Sequence, residues 1–279
     1  MASLDMDSWQ SVILAEYQAI QEAETCTVHD MSDLPAGRQP VGSKCLFKVK
    51  HNANGSVERY KARIVAKSYS QIEGFDYDET FVPVMRYDFL CLIIALAAQL
   101  ALDTDQLDIK SAFLNGDLFE EIWIVPPPGI GLDGQILQLD KAIYGLKQPP
   151  LAWFEKPSDA LAEIGFISLP FDTWVFISAD HKIIVVIYVD DITTAGSRSD
   201  INPLIDHLRS RFQATVKGSL TYILGIEIKH TPEGIEVSQY QYITNILSRF
   251  GMESCRPVST PIDTKTCLVK ASDSDPVFE

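Results

Sequence analysis

A run of apolar residues that ends in two adjacent carboxylates is the segment of this sequence best suited to carry chemistry. Ile183 to Ile187 read as a strand buried on both faces, and Asp190 and Asp191 follow shortly after it. Hard divalent cations prefer such oxygen ligands. An ordinary hairpin turn is the alternative, because Asp favours turns and residues 192–196 suit a return strand. The pair alone does not decide between a metal site and a turn.

A third carboxylate could complete a metal site. Asp108 lies at the end of a short apolar strand candidate, 82 residues before Asp190. A lone Asp at a strand end is also a common helix cap or turn residue. Asp108 is therefore a candidate ligand that needs support from elsewhere in the chain.

Charge is distributed unevenly. The formal net charge of −15 by itself disfavours nucleic acid as a partner, yet residues 44–67 hold five Lys and two Arg against one Glu. Alternation around a turn at 52–55 predicts a β-hairpin with Arg59, Lys61 and Arg63 on one face. This basic hairpin is either a phosphate-contact surface or a solvated face.

Composition narrows the class of protein. The 279 residues, 46% of them hydrophobic, suffice for one large domain or two small ones. The sequence has no long uncharged apolar run and no signal-like leader, so we expect no membrane partner and an intracellular location, in a cytoplasmic particle or the nucleus, without secretion. The five scattered cysteines indicate neither a disulfide framework nor a zinc site.

Helical and strand patterns are interspersed, which indicates the α+β class. Helices are predicted over 8–24, 87–101, 150–164, 201–213 and 239–251. Strands are predicted over 44–50, 56–66, 107–109, 121–125, 172–177, 183–189, 220–229 and 234–237. Residues 25–43 read as irregular, and Pro157 is expected to kink or interrupt the third helix.

Six strings, in the same order as in a known family, give the chain a specific resemblance. They are Arg59–Lys67, Glu79–Val84, Leu107–Gly116, Tyr144–Gln148, Tyr188–Asp191 and Leu224–Ile228. Together they resemble the reverse transcriptase of copia-type long-terminal-repeat retrotransposons, over nearly the whole chain. The resemblance implies an RNA-directed DNA polymerase domain of a Pol polyprotein. It also implies a right-hand polymerase fold of fingers and palm, truncated before a full thumb.

The resemblance also implies roles for individual residues. Asp108, Asp190 and Asp191 would hold two Mg²⁺ or Mn²⁺ ions for nucleotidyl transfer to a primer 3′-hydroxyl. Implied partners are an RNA or DNA template-primer, deoxynucleoside triphosphates, and integrase and ribonuclease H parts of a polyprotein. Seven further residues are implied in binding: Lys61, Arg63, Phe113 (as a steric gate) and Gln148 for the nucleotide, and Tyr188, Gly225 and Lys67 for primer and template.

The same resemblance implies how the chain is subdivided. The expected parts are a helix and irregular lead-in over 1–43, a basic fingers hairpin over 44–86, a palm with interleaved fingers segments over 87–229, the end of the palm and start of the thumb over 230–262, and a disordered tail over 263–279.

Several positions depart from the family pattern. They are Ser68 in place of Gly, Cys26 and Cys45 in place of Trp, Leu151 in place of Arg, and Pro157 within a helix. A second hypothesis is therefore a degenerate, inactive remnant that at most binds nucleic acid. A third, a palm-like nucleotide cyclase, is disfavoured by the basic hairpin and the Tyr144–Gln148 string.

Overall fold

The computed structural model describes residues 6–51, 56–78, 80 and 85–260. The Glu79–Val84 string, apart from Thr80, and the expected tail over 263–279 lie outside these residues. The chain divides into two compact units. The first contains the described residues up to Leu220 together with His230–Ile235, and the second contains Thr221–Lys229 and the residues from Glu236 onward.

The described residues form five α-helices and fourteen strands. The helices are α1 (Met6–Glu22), α2 (Tyr87–Gln99), α3 (Pro149–Glu163), α4 (Arg198–Arg211) and α5 (Tyr240–Arg249). The strands are β1 (Cys26–Asp30), β2 (Ser43–His51), β3 (Val57–Ala66), β4 (Asp103–Ile109), β5 (Asp117–Ile124), β6 (Gln135–Lys141), β7 (Phe166–Leu169), β8 (Asp172–Ser178), β9 (Ile184–Tyr188), β10 (Asp191–Gly196), β11 (Ala214–Gly218), β12 (Tyr222–Ile223), β13 (Ile226–Thr231) and β14 (Gly234–Ser238). None of these helices is long and apolar enough to cross a bilayer.

The predicted N-terminal helix and basic hairpin are confirmed and share one core. Helix α1 buries Ile13, Tyr17 and Ile20, which recur at helical spacing. These side chains cluster with Ala62 and Ile64 of β3, which pairs antiparallel with β2. Because strand side chains alternate between faces, burying these two residues turns Arg59, Lys61 and Arg63 of β3 to the other face.

A three-stranded antiparallel sheet, in the order β1-β6-β5, completes this core. The prediction that 25–43 is wholly irregular was wrong, since Cys26–Asp30 pairs with β6. Strand β6 was also not predicted, although Ile136, Leu137 and Leu139 are buried there. The two strands pair with each other from distant positions in the sequence, so pairing decides their structure more than local pattern does.

A six-stranded antiparallel sheet, in the order β11-β4-β10-β9-β8-β7, forms the other half of the first unit. The predicted apolar strand is confirmed as β9, with Val185, Val186 and Ile187 at 0–1% exposure. Helices α2 and α4 contact β10, and α3 contacts β7. In the strand order of this sheet, β4 lies inside, between β11 and β10.

Helix α3 runs from Pro149 to Glu163 without interruption, so of the two predicted outcomes, a kink or an interruption at Pro157, the interruption was wrong. Pro157 is buried on the same side of the helix as Trp153 and Leu161. A proline inside a helix costs about 3 kcal/mol, and burying one large aromatic side chain stabilises by a similar amount. Packing of this face therefore offsets the missing backbone hydrogen bond.

The second unit contains a turn where a continuous strand was predicted over 220–229. Leu224 and Gly225 both have left-handed backbone angles, with φ of 50° and 83°. The chain reverses there, so β12 pairs antiparallel with β13. The last helix was predicted over 239–251 and is confirmed as α5.

Candidate active site

Three carboxylate residues lie together at one end of the six-stranded sheet. Asp108 is paired directly with Asp191 across the antiparallel strands β4 and β10. Asp190 lies in the two-residue turn between β9 and β10, and its carbonyl oxygen accepts a hydrogen bond of 2.7 Å from the Ile109 N–H. The backbone therefore ties all three residues to one end of two neighbouring strands.

The side chain of Lys217 joins two of these carboxylates. Its Nζ lies 2.8 Å from Asp108 Oδ1 and 3.0 Å from Asp191 Oδ1. Lys217 belongs to β11, which pairs with β4 on the side away from β10. Burial opposes its charge, but hydrogen bonds and charges of Asp108 and Asp191 outweigh burial and raise the pKa of Lys217.

Gln106 contacts the same oxygen of Asp191 as Lys217 does. Its Nε2 donates a 3.0 Å hydrogen bond to Asp191 Oδ1, and the Gln106 residue is only 6% exposed. Gln106 precedes Asp108 by two positions on β4, so both side chains lie on the same face of the strand. The Asp191 carboxylate is therefore held in place by two donors.

The chemistry of these donors suits a divalent cation. The Lys217 ammonium reaches oxygens of Asp108 and Asp191 at once, so a single cation can contact both carboxylates. Carboxylate oxygens are the ligands that Mg²⁺ and Mn²⁺ prefer. Within the described ranges, however, no group of three or more His, Cys, Asp or Glu residues is arranged to hold a metal ion.

The turn that carries Asp190 is strained. Val189 has a φ of 52°, a left-handed conformation that β-branched residues rarely adopt. Its carbonyl oxygen accepts a 2.5 Å hydrogen bond from the indole N–H of the fully buried Trp153. Helix α3 therefore helps to hold the turn in this conformation.

Relieving that strain should stabilise the fold. Val189→Asn is expected to raise the free energy of unfolding by about 1 kcal/mol, because Asn tolerates left-handed backbone angles. Urea denaturation followed by circular dichroism would measure the change. The control is Val189→Ala, which removes the β-branch but lacks the local side-chain hydrogen bonding that lets Asn adopt left-handed angles, and should stabilise less. A destabilised asparagine variant would contradict the interpretation.

A second cluster forms around Tyr144. The Arg63 guanidinium carbon lies 4.3 Å from the centre of the Tyr144 ring, and the Phe113 ring lies 4.9 Å from it. Burial raises the pKa of Tyr144; Arg63 lowers it, while Asp190 and Asp108 raise it further. The phenol thus experiences the charges of the basic hairpin and of the carboxylates.

Close backbone contact holds the Tyr144 segment against the basic hairpin. The Ala66 N–H donates a 2.8 Å hydrogen bond to the Tyr144 carbonyl oxygen. Gly145 has a φ of 89°, and a Cβ on it would lie 2.3 Å from the Ala66 carbonyl oxygen. Only glycine meets both requirements at this position.

On the basic face of the hairpin, three cationic residues are offset by only two nearby acids, Glu58 beside Arg59 and Glu16 beside Lys61. Lys61 is half-buried, and burial lowers its pKa, with Arg63 and Lys50 lowering it further. Glu16 of α1 opposes this shift by its negative charge. The face is therefore suited to an external anion.

Four further residues were predicted to bind nucleotide, primer or template, and each has its own contacts. Gln148 is 4% exposed, donating to the Asp76 carbonyl oxygen at 2.6 Å and accepting from Gln71 at 3.0 Å. Lys67 lies against Gly42, through a 2.8 Å backbone hydrogen bond and its side-chain stem. Tyr188 is half-buried and paired with Asp191. Gly225 belongs to the second unit.

Three residues of the site were not identified as site residues from the sequence: Gln106, Tyr144 and Lys217. The Tyr144–Gln148 string did signal the second of these. Alternation in Ala214–Gly218 was a weak signal for a strand that would carry Lys217. The polar run before Leu107 offered no comparable signal for Gln106.

Known proteins resemble this chain over most of its length. A family described as "Reverse transcriptase (RNA-dependent DNA polymerase)" matches residues 26–264. The chain is 40% identical over 228 residues to the "Retrovirus-related Pol polyprotein from transposon RE1" of Arabidopsis thaliana, covering 80% of this chain and 16% of that protein. It is 38% identical over 234 residues to the RE2 polyprotein of the same plant, covering 82% and 16% of the two chains. Identity to the polyprotein from transposon TNT 1-94 of Nicotiana tabacum is 36% over 256 residues, covering 88% and 19%. The chain therefore spans less than a fifth of the length of these relatives.

Proposed function

Because this chain belongs to the reverse transcriptase family, we propose that it is an RNA-directed DNA polymerase domain of a retrotransposon Pol polyprotein. Its reaction would be nucleotidyl transfer from a deoxynucleoside triphosphate to a primer 3′-hydroxyl on an RNA or DNA template, with release of pyrophosphate. The observation that carries this proposal is the direct pairing of Asp108 with Asp191 beside Asp190.

The proposed fold is the right-hand arrangement of a polymerase. The six-stranded sheet would be the palm, and the basic hairpin of β2 and β3 would belong to the fingers. The basic hairpin shares a core with α1, β5 and β6, which supports fingers segments interleaved with the palm along the chain. We also propose that the successive parts of the chain end at residues 43, 86, 229 and 262. Other Pol parts, such as an integrase or ribonuclease H, would be partners of this chain.

Asp108, Asp190 and Asp191 would together hold two Mg²⁺ or Mn²⁺ ions once their side chains move from their present positions, in which these described residues form no three-carboxylate metal group. When bound, such ions supply positive charge that makes the primer hydroxyl more acidic and stabilises the phosphate oxygens. The contribution of the chain is to fix the ligands. Strand register sets Asp108 opposite Asp191, and Gln106 holds Asp191 in one orientation.

Lys61 and Arg63 would bind the phosphates of the incoming nucleotide. The Arg63 guanidinium carbon lies over the Tyr144 ring, and the edge of the planar guanidinium could donate two hydrogen bonds to a phosphate. Phe113 packs against the same tyrosine, so its ring could limit the room beside a sugar 2′-carbon. Tyr144 would thereby position both the phosphate-binding and the sugar-facing side chains.

Four further residues would support the nucleotide pocket or contact the primer and template. Gln148 would support the nucleotide pocket through its hydrogen bond to the Asp76 carbonyl oxygen. Tyr188 and Gly225 would contact the primer, and Lys67 the template or primer backbone. A direct contact of Gln148 with nucleotide would require it to exchange that hydrogen bond.

Neutralising Lys61 should stabilise the chain while weakening nucleotide binding. Folding lowers the pKa of Lys61, so the folded chain holds this charge less favourably than the unfolded chain. Lys61→Met is expected to raise the melting temperature by about 1–2 °C. The gain should persist below the lowered pKa and vanish as pH rises past the ordinary lysine value.

Differential scanning calorimetry at several pH values would measure the gain, and fluorescence titration with a labelled deoxynucleotide would measure binding. Lys44→Met removes a charge from the exposed start of the same hairpin and should change both quantities little. A Lys61→Met variant with lower stability and undiminished binding would contradict the proposal.

Primer extension on poly(rA)/oligo(dT), with Mg²⁺ or Mn²⁺, tests the proposed activity directly. The folded full chain should incorporate deoxynucleotides. An active full-length relative assayed alongside serves as the positive control. A folded chain that fails while the relative extends the primer would overturn the proposal.

A second candidate is an inactive chain that only binds nucleic acid. The observation in its favour is the Lys217 ammonium, which contacts both Asp108 and Asp191. Asp108→Ala combined with Asp190→Ala separates the two candidates. Under polymerase function, binding persists and extension is lost, whereas under binding alone the wild type and the double variant are equally inert.

A further inference from the structure

We propose that Lys217 is a built-in counter-cation that competes with divalent ions for Asp108 and Asp191, and so determines how tightly this site binds metal. The inference rests on the proposed function, because it concerns the same carboxylates. It concerns an affinity that can be measured without any polymerase reaction.

The direction of the Lys217 side chain is built into its strand. In the pairing of β11 with β4, Val216 is opposite Leu107 and Gly218 is opposite Gln106, so Lys217 is the extra residue of a β-bulge. Bulges change the direction of a side chain relative to a regular strand. The contact of Lys217 with two carboxylates therefore occurs at an irregularity in its strand.

The contact neutralises charge that the metal-free site would otherwise leave unbalanced. Asp108 and Asp191 are paired across adjacent strands, where like charges repel and destabilise the sheet. One ammonium within 3.0 Å of an oxygen from each carboxylate offsets that repulsion. Lys217 thus supplies in the free chain part of the positive charge that a metal supplies when bound.

Lys217 and a divalent ion cannot both retain these contacts. A Mg²⁺ or Mn²⁺ ion on the same oxygens would repel the ammonium, so binding must include its displacement. The side chains of Lys217, Asp108 and Asp191 are 41%, 43% and 30% exposed, which permits the flexible lysine stem to swing into solvent. Because partly exposed ion pairs are weak, displacement should lower metal affinity only modestly.

Mn²⁺ titration of the full chain by isothermal calorimetry tests this inference. Lys217→Met removes the charge but keeps an unbranched apolar side chain, and should lower the Mn²⁺ dissociation constant about 3- to 10-fold. Lys182→Met is the matched control, because Lys182 forms an exposed ion pair with Asp180 at 2.9 Å, and its affinity for Mn²⁺ should equal that of the wild type.

Asp108→Asn combined with Asp191→Asn should abolish the titration in the Lys217→Met background, which assigns the Mn²⁺ to these carboxylates. Equal or weaker Mn²⁺ binding by folded Lys217→Met would overturn the inference. So would the absence of Mn²⁺ binding from both the wild type and this variant.

A measurement on the wild type covers the case in which Lys217→Met does not fold. Amine acetylation followed by mass spectrometry should label Lys217 about threefold faster with MgCl₂ than with NaCl at the same ionic strength, because the freed ammonium loses two ion-pair partners. Labelling of Lys182 provides the internal reference. An unchanged rate at Lys217 would overturn the inference.

These outcomes separate this inference from the proposed function. A chain whose Mn²⁺ binding tightens in Lys217→Met but which never extends a primer refutes polymerase activity alone. If the chain extends primers but Lys217→Met leaves the Mn²⁺ dissociation constant unchanged, only the proposed counter-cation role of Lys217 is refuted.

Discussion

Asp190→Asn is expected to lower primer extension by about 10³-fold while leaving the chain folded. The substitution preserves side-chain shape and removes one negative charge from the proposed metal ligands. The backbone contribution of Asp190 stays, because its carbonyl oxygen still accepts the Ile109 N–H. Loss of activity would therefore reflect the carboxylate itself, measured as single-nucleotide incorporation rates with Mg²⁺.

Asp180→Asn provides a matched control. Asp180 lies in the connection between β8 and β9, where hydrogen bonds from Lys182 and Ser178 lower its pKa to about 2. Its loss should leave extension near the wild-type rate, since it is not among the proposed ligands. An Asp190→Asn variant that retains a tenth or more of the wild-type rate would remove Asp190 from the metal-binding set.

Gly145→Ala is expected to cost at least about 3 kcal/mol in the free energy of unfolding and to abolish nucleotide binding. The added Cβ would lie 2.3 Å from the Ala66 carbonyl oxygen, on a backbone with φ of 89°. Relief requires the Tyr144 segment to move away from the end of β3, which would separate Arg63 from the Tyr144 ring. Urea denaturation gives the stability change.

Gly37→Ala separates the two causes of that loss. Gly37 has nearly the same backbone angle, with φ of 86°, but a Cβ there would meet nothing within 4 Å. Its substitution should cost only the left-handed strain, about 1 kcal/mol. Equal losses in the free energy of unfolding of the two variants would show that the close approach of Gly145 to Ala66 does not affect stability.

Sequence reasoning was most successful where one segment carries its own pattern. Helix α1, the basic hairpin and β9 were predicted because their apolar residues recur with the period of the element that they form. These segments are long or strongly apolar. Their structure is therefore decided largely within the segment.

The prediction failed where distant partners decide the structure. Strands β1, β6 and β11 gain hydrogen bonds from strands that are far away in sequence. Pro157 argued against a continuous helix, yet buried packing around Trp153 and Leu161 keeps α3 intact. Tertiary contacts outweighed local preference in both cases.

The site shows the same division. The three carboxylates were identified from motif strings, and the structure brings their backbones together. Lys217 could not be identified in this way because its contact depends on a bulge in β11, which no local pattern specifies. Gln106 likewise gains its importance only from the register that places Asp191 beside it.

The register between β4 and β10 has a consequence for related sequences that differ from this chain in length. Inserting or deleting one residue within Asp103–Ile109 would turn Asp108 to the opposite face of the sheet. Substitutions such as Ser68 and Leu151 leave that pairing untouched, and a length change in the connection between β5 and β6 should do so too. The lengths of β4 and β10 therefore bear more directly than percentage identity on whether a related sequence keeps Asp108 opposite Asp191.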